Sequence, residues 1–177
     1  RNDLPHILKP VVGEVDDPFN QNQFPLVLPI SDGGNTIIYG TAGSGKLTLL
    51  NTVIYELIRN HITDYLNIYI MDFGSETLKV FEKAPQVGGV VLLSEKEKVI
   101  NLIKMLRKEI ITRKKAFADY GGDYRSYINN SGKTYPNIVV IINNFSALIE
   151  TYEECEDSIG YITREGIKYG IFFIVTA

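Results

Sequence analysis

Histidine, cysteine and tryptophan are almost missing from this chain of 177 residues, which holds two histidines, one cysteine and no tryptophan. With only His6, His61 and Cys155 available and no Cys-x2-Cys pair, a transition-metal centre of imidazole and thiolate lacks its ligands. A single cysteine also excludes an internal disulfide framework and suits a reducing compartment. Long apolar runs are lacking too. The longest, Ile138 to Ile142 and Gly170 to Thr176, fall well short of the roughly 20 residues that a membrane-spanning helix needs, and no signal-peptide pattern opens the chain. Nor is there a surplus of positive charge: 18 Lys and Arg face 21 Asp and Glu, a formal net charge of -3. No overall field therefore draws the chain toward a nucleic-acid backbone.

Hydrophobic residues make up 45% of the chain and charged ones 22%, enough for the core of one α/β domain. Internal repeats and low-complexity tracts are absent. Residues 1–35 carry most of the prolines and read as an extended lead-in packed on the domain. The ordered domain is expected over residues 36–177. Thr36 to Tyr39 is a short β-prone run, a glycine-rich loop follows, and Leu49, Leu50, Val53, Ile54, Leu57 and Ile58 then recur at helical spacing. Asn67 to Met71 and Gly88 to Leu93 read as further strands. A long helix is expected from Ser94 to Tyr120, with Ser94 as N-cap, Glu97 closing a capping box, and Gly121-Gly122 as the stop. Ile138 to Ile142 and Gly170 to Thr176 are β-branched and aromatic runs of the kind that parallel strands covered on both faces require, with a mostly helical stretch, Glu150 to Lys168, between them. Alternating strands and helices predict a parallel sheet with helices on both faces and a ligand site at the carboxyl ends of the strands.

The loop GTAGSGKLTLL supplies the chemistry. Gly40, Gly43 and Gly45 let the backbone wrap an anion beside a helix N-terminus, and Lys46 reaches toward the outer phosphates. The candidate nucleotide-binding set is Gly40, Thr41, Gly43, Ser44, Gly45, Lys46, Leu47 and Thr48. Leu47 breaks the pattern, because a hydroxyl is required there to hold Mg²⁺. Thr48 does not replace it, since one helical step turns a side chain by roughly 100°. The apolar strand expected to end in metal-binding and base carboxylates is IVVIINNFSAL, and it ends in Asn143-Asn144. A neutral amide brings no negative charge to a cation and takes no proton near neutral pH. Loss of a general base alone costs about 10² to 10⁴ in rate. The sequence therefore predicts ATP binding, without an intact catalytic set and possible without Mg²⁺, and no metal site.

In order, GTAGSGKLTLL, IMDFGSETL, MLRKEIITRKKAF, IVVIINNFSALIE and YGIFFIVTA resemble the motor domains of the FtsK/SpoIIIE family. Asp72-Phe73-Gly74 stands where that family has an Asp-Pro-Lys turn, and Glu109 and Arg113 resemble the Glu and Arg of its long helix. Thr176 resembles its strand-end sensor Thr. Where its DNA-translocating branch carries an Arg, this chain has Ile167, with Arg164 and Lys168 nearby. The lead-in VGEVDDPFNQNQFPLVLPISDGGN is similar to that of the tandem ATPase domains of the EssC/EccC type, the membrane-anchored coupling proteins of type VII secretion. The resemblance spans about residues 11–177 and is strongest to the last, degenerate domain of such proteins, and the family domain extends past the equivalent of Ala177. It implies ATP as ligand, neighbouring ATPase domains of the same chain as partners, a homo-oligomeric ring, and a secreted helical-hairpin protein as cargo. Nucleic acid is not favoured. It also implies a place at the cytoplasmic face of the membrane, reached only through the parent protein. Two other functions stay open at this point: an active DNA- or protein-translocating motor in which Thr48 and Asp72 or Glu76 rebuild the metal site, and an interaction scaffold with an empty pocket.

Other features read more plainly. Lys104, Arg107, Lys108, Arg113, Lys114 and Lys115 read as a solvated helix face that also carries Glu109, and the acids between Glu150 and Asp157 as surface. Tyr39, Tyr55, Tyr69 and Tyr169 sit in core-type patterns. Asp72 is either a metal or switch residue or a carboxylate capping the next turn. His61 is placed to complement a helix dipole.

Overall fold

A computed structural model describes residues 4–177. In chain order the elements are β1 (Val11–Asp17), β2 (Asn22–Val27), α1 (Ile30–Gly33), β3 (Thr36–Ile38), α2 (Lys46–Asn60), β4 (Leu66–Asp72), β5 (Val87–Leu92), α3 (Lys96–Phe117), α4 (Tyr124–Ser131), β6 (Asn137–Asn143), α5 (Phe145–Thr151), α6 (Glu156–Glu165) and β7 (Ile171–Thr176). Five strands form a parallel sheet in the order β3-β7-β6-β4-β5, and β1 and β2 form a separate antiparallel hairpin.

Strand alternation builds two cores. Ile138, Val140 and Ile142 of β6, with Ile171, Phe173 and Val175 of β7, point to the side covered by α3, α5 and α6. Val139, Ile141, Phe172 and Ile174 point to the other side, where they meet Leu50, Val53, Ile54 and Leu57 of α2 together with Leu8 and Ile30. The period of two in a strand forces this division. Both faces are covered, so these runs are β-branched or aromatic nearly throughout rather than alternating with polar residues.

Several expectations change in three dimensions. The long helix starts at Lys96, not Ser94, and no capping box closes it: Glu95 is the N-cap, and its carboxylate accepts a hydrogen bond from the Leu92 N–H at 3.0 Å. Arg113 is not on a solvated face. It is fully buried, and its guanidinium donates to Glu109 at 3.0 Å, to the Tyr169 carbonyl at 2.8 Å and to the Pro136 carbonyl at 2.6 Å. The two carbonyl bonds thus stitch α3 to the segments that lead into β6 and β7. Tyr39 and Tyr55 are 75% and 58% exposed and lie outside the core. His61 is buried, which lowers its pKa, and its Nδ1 lies 3.2 Å from the Pro5 carbonyl. A neutral imidazole contributes little to the helix dipole. The end of α2 is capped instead by Gln86, whose amide donates to the Ile58 and His61 carbonyls. Among the described residues no helix is long and apolar enough to cross a membrane.

Candidate functional site

The carboxyl ends of β3, β4, β6 and β7 converge on one edge of the sheet, and every candidate site residue lies there. After β3, the loop turns through Gly43 (φ 78°) and Gly45 (φ 92°), conformations that glycine adopts without steric cost. Gly45 is the N-cap of α2 and offers no side chain, so the first-turn N–H groups from Lys46 onward remain available to an anion. Gly40 sits in a crowded turn: a Cβ there would stand 2.2 Å from the Ser44 Oγ, which would have to rotate away, and 3.3 Å from the Lys46 Cγ. Loop and helix together fit a phosphate chain. Lys46 donates to the Gly40 carbonyl at 2.7 Å and to the Ala177 carbonyl at 3.1 Å, so a phosphate oxygen competes with these two acceptors for the ammonium. Thr41 and Ser44 are exposed along the loop.

A divalent cation finds a poorer donor set. Leu47 carries no oxygen and packs half-buried against the α2-side core. Thr48 is exposed. Among the described residues no cluster of three or more His, Cys, Asp or Glu side chains is placed to hold a metal ion.

Opposite the loop, the ends of β4, β6 and β7 are tied by a hydrogen-bond chain. The parallel register places Asp72 beside Asn143. The Asn143 amide nitrogen donates to Asp72 at 3.0 Å, and its oxygen accepts from the Thr176 hydroxyl at 2.9 Å. Thr176 in turn accepts from the Asn144 N–H at 2.8 Å. Asn144 takes a left-handed backbone (φ 70°, ψ 71°), and its side chain caps α5 by accepting from the Ala147 N–H at 3.3 Å. Asp72 is buried, and burial alone would raise its pKa. Donation from the Leu78 N–H, the Asn143 amide and the Glu76 and Gly74 N–H groups outweighs burial and holds the carboxyl below its usual range. Ser75 adds its hydroxyl at 3.2 Å. Of the two roles left open for Asp72, the geometry gives the turn cap. Ser75, three residues after Asp72, was missed at the sequence level, although Asp, Gly and Ser close together are turn formers and the Gly74 N–H donates to Asp72 as in an Asx turn.

A parallel α/β sheet whose glycine-rich loop joins its edge strand to a helix is the fold of a P-loop NTPase. The profile of the FtsK/SpoIIIE family matches residues 5–177, and the chain belongs to that family. The type VII secretion system protein EssC of Staphylococcus aureus MRSA252 is 28% identical over 168 residues, covering 93% of this chain but only 11% of EssC. A structure of EssC ATPases 2 and 3 from Geobacillus thermodenitrificans superposes with a TM-score of 0.87 at 28% identity, over 97% of this chain and 33% of that one. Thermomonospora curvata EccC ATPases 2 and 3, solved in complex with a signal sequence peptide, gives a TM-score of 0.87 at 27% identity, over 99% and 33%. The chain thus spans about a third of these two-ATPase structures and about a tenth of the S. aureus relative.

Proposed function

We propose that this chain is a degenerate ATPase unit of a type VII secretion coupling protein, one that holds ATP without hydrolysing it efficiently. Its work lies in contacts with neighbouring ATPase units and in recognition of a secreted helical-hairpin protein at the cytoplasmic face of the membrane. The observation that carries this reading is the Asn143 amide, hydrogen-bonded between Asp72 and Thr176 where the chemistry needs a carboxylate. Leu47, which offers no side-chain oxygen and packs half-buried against the α2-side core, points the same way. When bound, ATP would lay its phosphates along Gly40 to Thr48, with Lys46 moving from the two carbonyls to the outer phosphates. Asp72 is a poor replacement for the missing metal ligand because Leu78, Gly74, Ser75 and Asn143 already donate to its oxygens. Thr176, bonded to both asparagines, is the proposed sensor at the strand end. The EccC relative bound to a signal sequence peptide supports the cargo part of the reading.

Calorimetric titration with ATP, with and without Mg²⁺, tests the pocket. The expected result is binding that depends little on Mg²⁺, is lost in Lys46→Ala, and is accompanied by phosphate release at background. Brisk Mg²⁺-stimulated turnover abolished by Lys46→Ala would instead establish an active motor. Absence of any binding heat would leave only the scaffold. Pull-down with a purified helical-hairpin cargo tests recognition separately.

A further inference from the structure

At the amino ends of β6 and β7, the end of the sheet opposite the phosphate loop, the chain encloses a cavity about 850 Å³ in volume. It lies about 20 Å from the Asn143 end of β6, the length of that strand. Its size is in the range of small-molecule sites. Residues of the lead-in, of α1, of the first turns of α4 and of the segment before β7 form its wall, and Ile7, Ile128, Ile167 and Phe172 make much of that wall apolar.

Two polar features of the wall define what fits. Lys9, Asp32, Arg125 and Lys168 are exposed and stand at the mouth. Asp32 holds two of these cations, Lys9 at 3.3 Å and Arg125 at 3.0 Å. Lys168 enters no ion pair among the described residues. Asp123, also on the wall, is committed to capping α4: it accepts from the Ser126 N–H at 2.8 Å and from the Ser126 hydroxyl at 2.9 Å. Three cations thus face two carboxylates, on a chain whose formal net charge is -3. Exposed ion pairs contribute little, so an anion at the mouth exchanges with Asp32 for Lys9 and Arg125 and gains Lys168 as well.

The second feature is at the inner end. Asn137 is 1% exposed, and its amide nitrogen donates to the His6 carbonyl at 2.9 Å. Its Oδ1 accepts no hydrogen bond among the described residues, and an unmet buried acceptor lowers stability. That oxygen is turned toward two other wall residues: a Cβ on Gly170 would lie 3.1 Å from it and 2.6 Å from the Tyr124 ring. The Tyr124 hydroxyl is anchored on the Tyr135 carbonyl at 2.6 Å, so a tilt of the ring about this anchor opens the oxygen to the cavity. Arg125 is the next residue of the same helical turn. An anion that draws Arg125 from Asp32 therefore loosens the turn that carries the ring.

We propose that this cavity binds a small aromatic anion with an N–H donor at the end opposite its charge. The anion sits among Lys9, Arg125 and Lys168, the ring lies along Tyr124, Ile128 and Phe172, and the donor meets the Asn137 Oδ1. Stacking on Tyr124 favours an aromatic body over an aliphatic one. The site goes beyond the ATPase reading above and does not rest on it.

Fluorescence titration of the 177-residue chain with a naphthalenesulfonate, and with its analogue carrying an amino group on the far ring, tests the proposal. One saturable site per chain is expected, weaker at high salt, with the amino analogue held about three- to tenfold more tightly. Lys168→Glu should weaken both probes by about threefold or more, and Asp32→Asn should tighten both by about threefold because the competing carboxylate is gone. A misfolded variant could not bind more tightly. In amide NMR spectra, Tyr124, Arg125 and Gly170 should shift with added probe while Gly43 to Lys46 stay in place. Shifts centred on Gly43 to Lys46, equal affinity for the two probes, insensitivity to Lys168→Glu, or an Asp32→Asn variant that binds no more tightly would each overturn the proposal. The phosphate loop is followed by its own resonances, so failure here is distinguishable from failure of the nucleotide reading.

Discussion

Asn143→Asp restores the acid that an ATPase site would carry, and it should destabilise the protein. The wild-type amide donates to the buried Asp72 carboxylate at 3.0 Å. The substitution removes a hydrogen bond to a charged group, worth about 1.5–3 kcal/mol, and sets two carboxylates side by side. Unit charges 4 Å apart repel by about 4 kcal/mol at an effective dielectric of 20, and uptake of one shared proton relieves much of that. A net loss of about 2–4 kcal/mol at neutral pH follows, which at about 2–4 °C per kcal/mol for a chain of this size lowers Tm by about 4–16 °C. The sign with pH is fixed. One carboxyl of the pair has its folded-state pKa raised, so the cost is absent below the ordinary carboxyl value of about 3.9 and complete above the raised value. Thermal melts of both proteins at pH 5 and pH 7.5 should therefore differ less at pH 5. Millimolar Mg²⁺ should recover part of the lost Tm in the variant and leave wild type unchanged. Equal stability of the two proteins at pH 7.5 would refute the reasoning, since the amide would then not be among the donors that help hold Asp72 charged.

Asp72 itself has a depressed folded-state pKa, so its stabilisation is present above about pH 3.9 and is lost as pH falls through the lower folded value. Acid titration followed by circular dichroism should show a shallower decline below pH 4 in Asp72→Asn than in wild type. Arg113→Met removes the donors to the Tyr169 and Pro136 carbonyls and strands Glu109, and should cost about 3–5 kcal/mol by urea unfolding. Arg113→Lys should also be destabilised, because a compact ammonium does not reproduce the planar fork. Gly170 has φ 77°, and a Cβ there would lie 2.6 Å from the Tyr124 ring, so Gly170→Ala should cost more than about 1 kcal/mol in the same assay.

The sheet was legible because its central strands are buried on both faces and so consist of unbroken β-branched and aromatic runs. The phosphate loop was legible because its glycines, its lysine, the strand before and the amphipathic helix after all serve one mechanism. The β1–β2 hairpin was hidden by Pro18, Pro25 and a register shift near Gly13 that blur its alternation. α4 was missed because YRSYINNS is short and polar. Its one local signal is Asp123, whose carboxylate caps the helix by accepting from the Ser126 N–H at 2.8 Å. No local pattern reveals the burial of Arg113, since its i,i+4 pair with Glu109 would look the same on a surface helix and its two carbonyl partners are remote in sequence. Asn143 was visible as a missing charge. That Asp72 lies beside it is decided only by the register of β4 on β6.

The three proposed departures from a hydrolytic site, Leu47 in α2 and the adjacent Asn143 and Asn144 between β6 and α5, are each taken up by a different piece of structure. Leu47 packs against the α2-side core. Asn143 bridges a carboxylate and a hydroxyl, needing both the donor and the acceptor of an amide. Asn144 holds a left-handed backbone, which asparagine tolerates better than most residues, and caps α5. Reverting one position therefore does more than return a ligand. A hydroxyl at position 47 gives up apolar packing, and an acid at position 143 meets Asp72 with no cation between them. Metal-dependent hydrolysis would have to be regained at positions 47 and 143 together, with the cation bound as the acids appear, because each single step lowers stability before it adds chemistry. On the function proposed above, this coupling lets a fold of this family keep its glycine-rich loop while Asp72, Asn143 and Thr176 form a hydrogen-bonded clasp at the strand ends.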